Sequence, residues 1–146
     1  MPHVLVIRFS SMGDVAMMVP VLRCLQNSNP NCKITVVSKK LYKPIFEEFK
    51  NLTFFEVDFK NKYVGLSGLL KLFKDLKKLK PTHIADLHSV IRTHVLRFLF
   101  KLSFYKTKTL DKQRGDRKKL FRPKKKIFKP LTPNHYKYCE VFNRLG

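Results

Sequence analysis

Runs of apolar and β-branched residues alternate along this chain with stretches whose apolar positions recur at helical spacing. His3–Phe9, Lys33–Ser38, Thr53–Asp58 and His83–His88 read as strands. Short, nearly continuous apolar runs of this kind suit strands covered on both faces. Asp14–Asn27 reads as a helix with Val15, Met18, Val19, Leu22 and Leu25 on one face. Pro20 lies inside it and predicts a bend or an irregular first turn. A short helix is expected at Tyr42–Phe49. Gly65–Lys80 repeats Leu66, Leu69, Leu70, Phe73 and Leu76 at helical spacing, with lysines over much of the remainder, and Pro81 stops it. A helix at Val90–Leu102, a fifth strand at Phe104–Leu110 and a last helix at Asn134–Leu145 complete the series. Thr132-Pro133-Asn134 punctuates the start of that last helix.

Strands that alternate with helices imply parallel pairing through right-handed crossovers. The pattern predicts an α/β fold: a Rossmann-like, doubly wound, mostly parallel sheet. A chain of 146 residues is enough for one domain with its own core.

Charge changes the picture. The chain carries 31 Lys+Arg against 10 Asp+Glu, a formal net charge of +21. Such a surplus favours phosphates, anionic lipid or nucleic acid as partners. It is densest in the segment 101–129, where 13 residues are basic and only Asp111 and Asp116 are acidic. A basic loop is expected over about 106–130, with the clusters Arg117-Lys118-Lys119 and Lys124-Lys125-Lys126. No zinc-finger spacing, RNA-recognition signature or defensible helix-turn-helix accompanies it. A nucleic-acid-binding module therefore stands as an alternative, beside a noncatalytic scaffold. Cys24, Cys32 and Cys139 are scattered and odd in number, which fits a reducing compartment rather than a disulfide framework. Cys24 lies on the apolar face of the first helix and is expected in the core. The histidines show no metal-ligand spacing, so no metal site is expected. The longest apolar run, Val15 to Leu22, contains Pro20 and falls far short of the roughly 20 residues that span a bilayer. Arg8 interrupts the first apolar stretch, so no secretory leader is expected. These features predict a soluble protein of a reducing cytoplasm that can sit on a membrane surface.

Two segments carry candidate chemistry. Ser10-Ser11-Met12-Gly13-Asp14 follows the first strand, where ligands bind in open α/β sheets. Gly13 would let the backbone turn tightly and approach a ligand. Asp14 then serves either as a helix cap or as a general base, a role worth about 10²–10⁴ in rate. No G-x-G-x-x-G and no G-x-x-x-x-G-K-[ST] occurs, which sets aside the dinucleotide fingerprint and the P-loop. Asp86-Leu87-His88-Ser89-Val90-Ile91-Arg92 occupies the end of the fourth strand. His88 or Ser89 could bond a ligand hydroxyl or phosphate, and Arg92 could fork onto a phosphate. Equally, Asp86 or Ser89 could cap the next helix, with Arg92 on a solvated face.

Ile7-Arg8-Phe9-Ser10-Ser11-Met12-Gly13-Asp14-Val15, followed by Pro20-Val21-Leu22-Arg23, resembles the opening of the lipopolysaccharide heptosyltransferases, glycosyltransferase family 9. Asp86-Leu87-His88-Ser89 with Arg92 resembles that family's second acidic strand end. His135-Tyr136 through Gly146 resembles the helix closing its N-terminal domain. The resemblance implies a two-domain GT-B fold, of which residues 1–146 would be the acceptor-binding N-terminal half. It implies inverting transfer of heptose from ADP-heptose to the inner core of lipopolysaccharide, with Asp14 as general base and no cofactor beyond that donor. Ser10, Ser11, Met12 and Gly13 would shape the acceptor site, with His88, Ser89 and Arg92 beside them. The implied partners are a phosphorylated glycolipid acceptor, an anionic membrane surface and a donor-binding domain absent from these residues. Without that domain the chain is expected to turn over poorly or not at all.

Overall fold

The structure is a computed structural model that describes residues 1–112 and 133–146. The basic clusters at 117–119 and 124–126 lie outside the described residues. Within them the chain folds into β1 (His3–Ile7), α1 (Met12–Ala16), α2 (Met18–Ser28), β2 (Lys33–Lys39), a 3₁₀ segment (Lys40–Phe46), β3 (Leu52–Val57), α3 (Gly65–Lys78), β4 (His83–Asp86), α4 (Ile91–Leu102), β5 (Lys106–Thr109) and α5 (Asn134–Leu145).

All strand pairs are parallel, in the order β3-β2-β1-β4-β5. Because side chains alternate across a strand, β1 feeds two cores. Val4 and Val6 pack with Val15, Met18, Val21 and Leu22 and with Tyr138, Val141 and Leu145 of α5. Leu5 and Ile7 pack on the opposite face with Leu69, Leu72, Leu76, Leu96 and Phe100. Every residue of β1 is buried, which explains why its sequence lacks the alternation of a half-exposed strand. The strand order reverses between β1 and β4. A crevice opens at the carboxyl ends of the strands at such a reversal.

Four departures from the sequence expectation have physical causes. The first helix divides into α1 and α2 at Met17. Pro20 has no N–H for the Ala16 carbonyl, and its ring would strike that carbonyl, so the helix restarts with Pro20 in its first turn. On α3 the core face is Gly68, Leu69, Leu72 and Leu76, whereas Leu66 and Leu70 are exposed. The helix is rotated towards Gly68, which lets it press against the backbone of Tyr63. Cys24 is exposed rather than in the core, because α2 turns Val21 and Leu22 inward instead. The expected basic loop at about 106–130 also begins late, since Lys106–Thr109 forms the edge strand β5.

Gly68 is the tightest of these contacts. A Cβ built there would stand 2.2 Å from the Tyr63 carbonyl carbon, which is backbone and cannot rotate away. Gly68→Ala should destabilise the domain by about 2 kcal/mol or more, at the upper end of overpacking costs. Chemical denaturation would reveal this as a lower midpoint, and an unchanged midpoint would contradict the packing.

Candidate functional site

The crevice between β1 and β4 is built around one arginine. β1 ends at Ile7, but the Arg8 N–H still donates to the Val37 carbonyl of β2 at 3.2 Å, and the Leu87 N–H donates to Ile7 at 3.0 Å. The Arg8 side chain turns inward and only 7% of the residue is exposed. Its Nη1 donates to the Leu87 carbonyl, just past β4. Its Nη2 donates to Asp14 Oδ2 at 2.7 Å. The guanidinium also lies 6.0 Å from the Tyr138 ring, within cation–π range. Arginines are rarely buried without a charge partner, so the position of Arg8 and that of Asp14 are one fact.

Asp14 is the third residue of α1, not its cap. Ser11 occupies the N-cap, and its hydroxyl donates to Asp14 Oδ2 at 3.0 Å. The helix-cap reading of Asp14 is therefore corrected. Its carboxylate is held by Arg8 and Ser11 while 28% of the side chain stays exposed. From α5, the Tyr138 hydroxyl donates to the Asp14 carbonyl at 3.1 Å. Burial pushes the Tyr138 phenol up to about 12, so it remains a protonated donor at neutral pH. The last helix thus anchors the turn that carries Asp14.

Met12 and Gly13 are exposed on the outer side of this turn. Among the described residues, a Cβ on Gly13 would meet nothing within 4 Å. The turn itself does not require glycine, contrary to the conformational reading of the sequence. What glycine leaves is open space beside Asp14.

The second strand end is fixed by Asp86, whose side chain is fully buried. Its Oδ1 accepts from the N–H groups of His88 at 3.0 Å and Ser89 at 2.9 Å. Its Oδ2 accepts from the Thr109 hydroxyl at 3.2 Å and faces Arg97 at 3.8 Å. These bonds hold Ser89 at φ 51°, a left-handed conformation uncommon for serine. Neither Asp86 nor Ser89 caps α4. Val90 is the N-cap, and its N–H donates to the Thr93 hydroxyl at 2.9 Å.

His88 crosses from this turn to β1. Its Nδ1 accepts from the Phe9 N–H at 3.4 Å, and Nε2 lies 3.4 Å from the Ser10 hydroxyl. Accepting at Nδ1 places the ring proton on Nε2 in the neutral ring, so Nε2 donates to Ser10. Burial, reinforced by the Arg8 charge, lowers His88 to about 4. The ring is therefore neutral at physiological pH.

The structure brings Ser10, Ser11, Asp14 and His88 together around Arg8, with Ser89 buried behind them. Arg92 stands apart. It lies 4.5 Å over the ring of Phe59, and Phe59 meets Phe9 edge-on at 4.8 Å. Arg92 borders a cleft of about 800 Å³ that also presents Lys39, Lys40, Lys60 and Lys62. Asp58 in its wall is committed to its own loop through Lys60, Asn61 and the Asn61 amide. The cleft thus offers five cations at the carboxyl end of β2 and β3, a suitable lining for an anion. Sequence reasoning missed Arg8, Tyr138 and Phe59. Arg8 alone carried a signal, because a charge at the end of a buried strand needs a partner nearby. Among the described residues, no group of three or more His, Cys, Asp or Glu side chains is placed to hold a metal ion.

A crevice at the reversal of strand order is where open, doubly wound α/β proteins bind their ligands as a class. No protein-family model matches the chain, and no curated protein sequence does. Its fold is similar to solved glycosyltransferases. One is a family 9 glycosyltransferase from Veillonella parvula DSM 2008, with TM-score 0.69, 22% identity and coverage of 99% of this chain and 42% of that one. Another is the E. coli heptosyltransferase WaaC with ADP, with TM-score 0.61, 18% identity and coverage of 97% and 47%. A third is a UGT transferase from Siraitia grosvenorii in complex with UDP, with TM-score 0.60, 10% identity and coverage of 99% and 41%. The chain therefore spans less than half the length of these proteins and has the fold of one part of their GT-B architecture.

The His88 environment makes a pH dependence. Its folded pKa lies near 4 and its unfolded reference at 6.5. In that interval the unfolded chain binds a proton that the folded one does not. The stability from neutral His88 is present above 6.5 and is lost as pH falls towards 4. NMR should show the His88 ring titrating near pH 4, and His88→Gln should flatten the acid limb of thermal stability. A His88 ring that titrates near 6.5 would contradict this environment.

Proposed function

We propose that this chain is the acceptor-binding part of an inverting glycosyltransferase of the family 9 kind, with Asp14 as general base. One observation carries the reading: a partly exposed carboxylate, oriented by Arg8 and Ser11, stands at the reversal of strand order beside open space. Asp14 takes the proton from an acceptor sugar hydroxyl. The resulting oxygen attacks the anomeric carbon of the donor from the face opposite its nucleoside diphosphate. The bond from that carbon to the diphosphate breaks, and the diphosphate leaves with the electron pair. The sugar configuration inverts.

Arg8 holds the carboxylate in register and is a positioning residue. Ser10 and neutral His88 line the acceptor side, where the ring offers a hydrogen bond without adding charge. The cations around Arg92 receive the acceptor's phosphates. Two solved relatives by fold are a WaaC heptosyltransferase with ADP and the same enzyme with ADP-2-deoxy-2-fluoro heptose. They support ADP-heptose as the donor and, with the basic cleft, a phosphorylated inner-core glycolipid as the acceptor. Donor contacts would come from a further domain, as in those longer chains. The nucleic-acid alternative draws on charge alone and leaves the Arg8–Asp14 arrangement without a role.

In an enzyme that joins this chain to a donor-binding domain, Asp14→Asn should lower the transfer rate at least about 10²-fold, with circular dichroism unchanged. Near-normal turnover would leave Asp14 a purely structural partner of Arg8. Gly13→Ala separates site from scaffold. Alanine is favoured over glycine in a helix by about 1 kcal/mol, so the melting temperature should hold or rise. Acceptor KM should increase because the methyl group intrudes on the space beside Asp14. An unchanged KM would place the acceptor elsewhere.

A further inference from the structure

We propose that the outer face of α4 is a docking surface for an anionic lipid bilayer. The helix buries Thr93, Leu96 and Phe100 against the sheet. Opposite them stand Ile91, Phe98 and Leu102, which are 82%, 65% and 67% exposed. Their spacings of seven and four residues set them in one line along the helix. A surface helix of an ordinary domain places polar residues there. α3 packs alongside α4, with Phe73 edge-on to Phe100. It adds exposed Leu66 and Leu70. α4 is therefore apolar on its solvent side as well as on its buried one, beside an α3 whose outer face mixes these leucines with lysines.

Phe104 supplies a second, independent observation. It follows the end of α4 at φ 65°, the left-handed closing conformation that usually falls to glycine. It is also 98% exposed. A phenylalanine gains nothing for the fold in that position. It does present a bare aromatic ring just past the end of the helix that carries Phe98 and Leu102.

Charge identifies the occupant. Exposed Lys71, Lys74, Lys77 and Lys78 of α3 and Arg92 and Lys101 of α4 flank the apolar line. Asp75 is the one acid on the two helices, and it is already engaged by Tyr63 and Lys78. Apolar side chains framed by Lys and Arg are the composition of helices that lie in the bilayer interface. Anionic headgroups attract each cation near the surface. A protein partner fits less well, because interface centres are depleted in lysine. A second copy of this chain would bring another net charge of +21 against the first. The docking surface lies outside the Asp14 crevice and does not depend on the catalytic reading.

Co-sedimentation of the 146-residue chain with phosphatidylcholine vesicles, with and without phosphatidylglycerol, tests this. Binding should require phosphatidylglycerol and weaken as salt screens the exposed charges. Ile91→Ser with Phe98→Ser should reduce the vesicle partition coefficient at least about tenfold, because the inserting apolar groups are gone. The melting temperature should stay close to that of the parent, since both side chains are exposed. Phe104→Gly should raise the melting temperature while lowering vesicle binding, a combination that a structural role alone does not give. Asp14→Asn should bind vesicles as the parent does, which keeps failure here distinct from failure of the catalytic reading. Parental binding by the double serine variant would overturn the proposal. So would sedimentation equilibrium showing that these variants abolish a dimer and leave vesicle binding intact.

Discussion

The buried guanidinium of Arg8 is the constraint on which the site depends. It touches a carbonyl beyond β4 and a carboxylate on α1, and its own backbone extends the pairing of β1 with β2. Taking such a charge out of water is costly, and breaking a buried pair costs about 3–5 kcal/mol. Part of Asp14 is still exposed, so this pair sits below that range. The geometry nonetheless makes the two strand ends and the Asp14 turn a single unit. Tyr138 closes the unit from the last helix through the Asp14 backbone carbonyl, and so residues more than a hundred positions apart in sequence fix the turn that carries one carboxylate.

The strand positions were legible because fully covered parallel strands must be continuously apolar. β1, β2 and β4 carry that pattern, and each fell within a few residues of its expected span. The face of α3 was not legible, because Leu66, Leu69, Leu70, Leu72, Phe73 and Leu76 spread over nearly half of its circumference, more than the stripe that is buried. Periodicity alone cannot then choose a side, and the close approach of Gly68 to Tyr63 made the choice. The break at Met17 was foreshadowed by Pro20. In the site, Asp14 and the 86–92 segment were visible as polar residues ending apolar runs. The roles of Arg8 and Tyr138 were not, since both arise from contacts between distant segments.

The net charge is arranged rather than diffuse. Asp14, Asp75, Asp86, Glu48 and Glu56 each meet a basic side chain. Two of these acids, Asp14 and Asp86, stand at the two strand ends that form the crevice. Among the described residues, surplus cations stand on α3, α4 and the cleft around Arg92. Repulsion among them opposes compaction, and the two cores on either side of the sheet offset it. A surface of this kind is suited to an anionic partner at two scales, a phosphate in the cleft and a headgroup layer beyond it.

α4 connects those scales. It begins at the Asp86-held turn, where Ser89 at φ 51° sets its direction, and ends at Phe104 with φ 65°. Non-glycine residues in left-handed conformations cost of order 1–3 kcal/mol and persist only where the surroundings over-determine them. At Ser89 the surroundings are evident: two N–H groups bonded to one buried carboxylate. At Phe104 the backbone accepts the geometry through bonds to the end of α4, the Phe104 N–H donating to Lys101. The side chain itself packs on nothing that would justify its size. The asymmetry separates a strain explained by the fold from one that the fold alone does not explain. It also places the unexplained residue at the end of the same helix whose first turn carries Arg92 to the basic cleft.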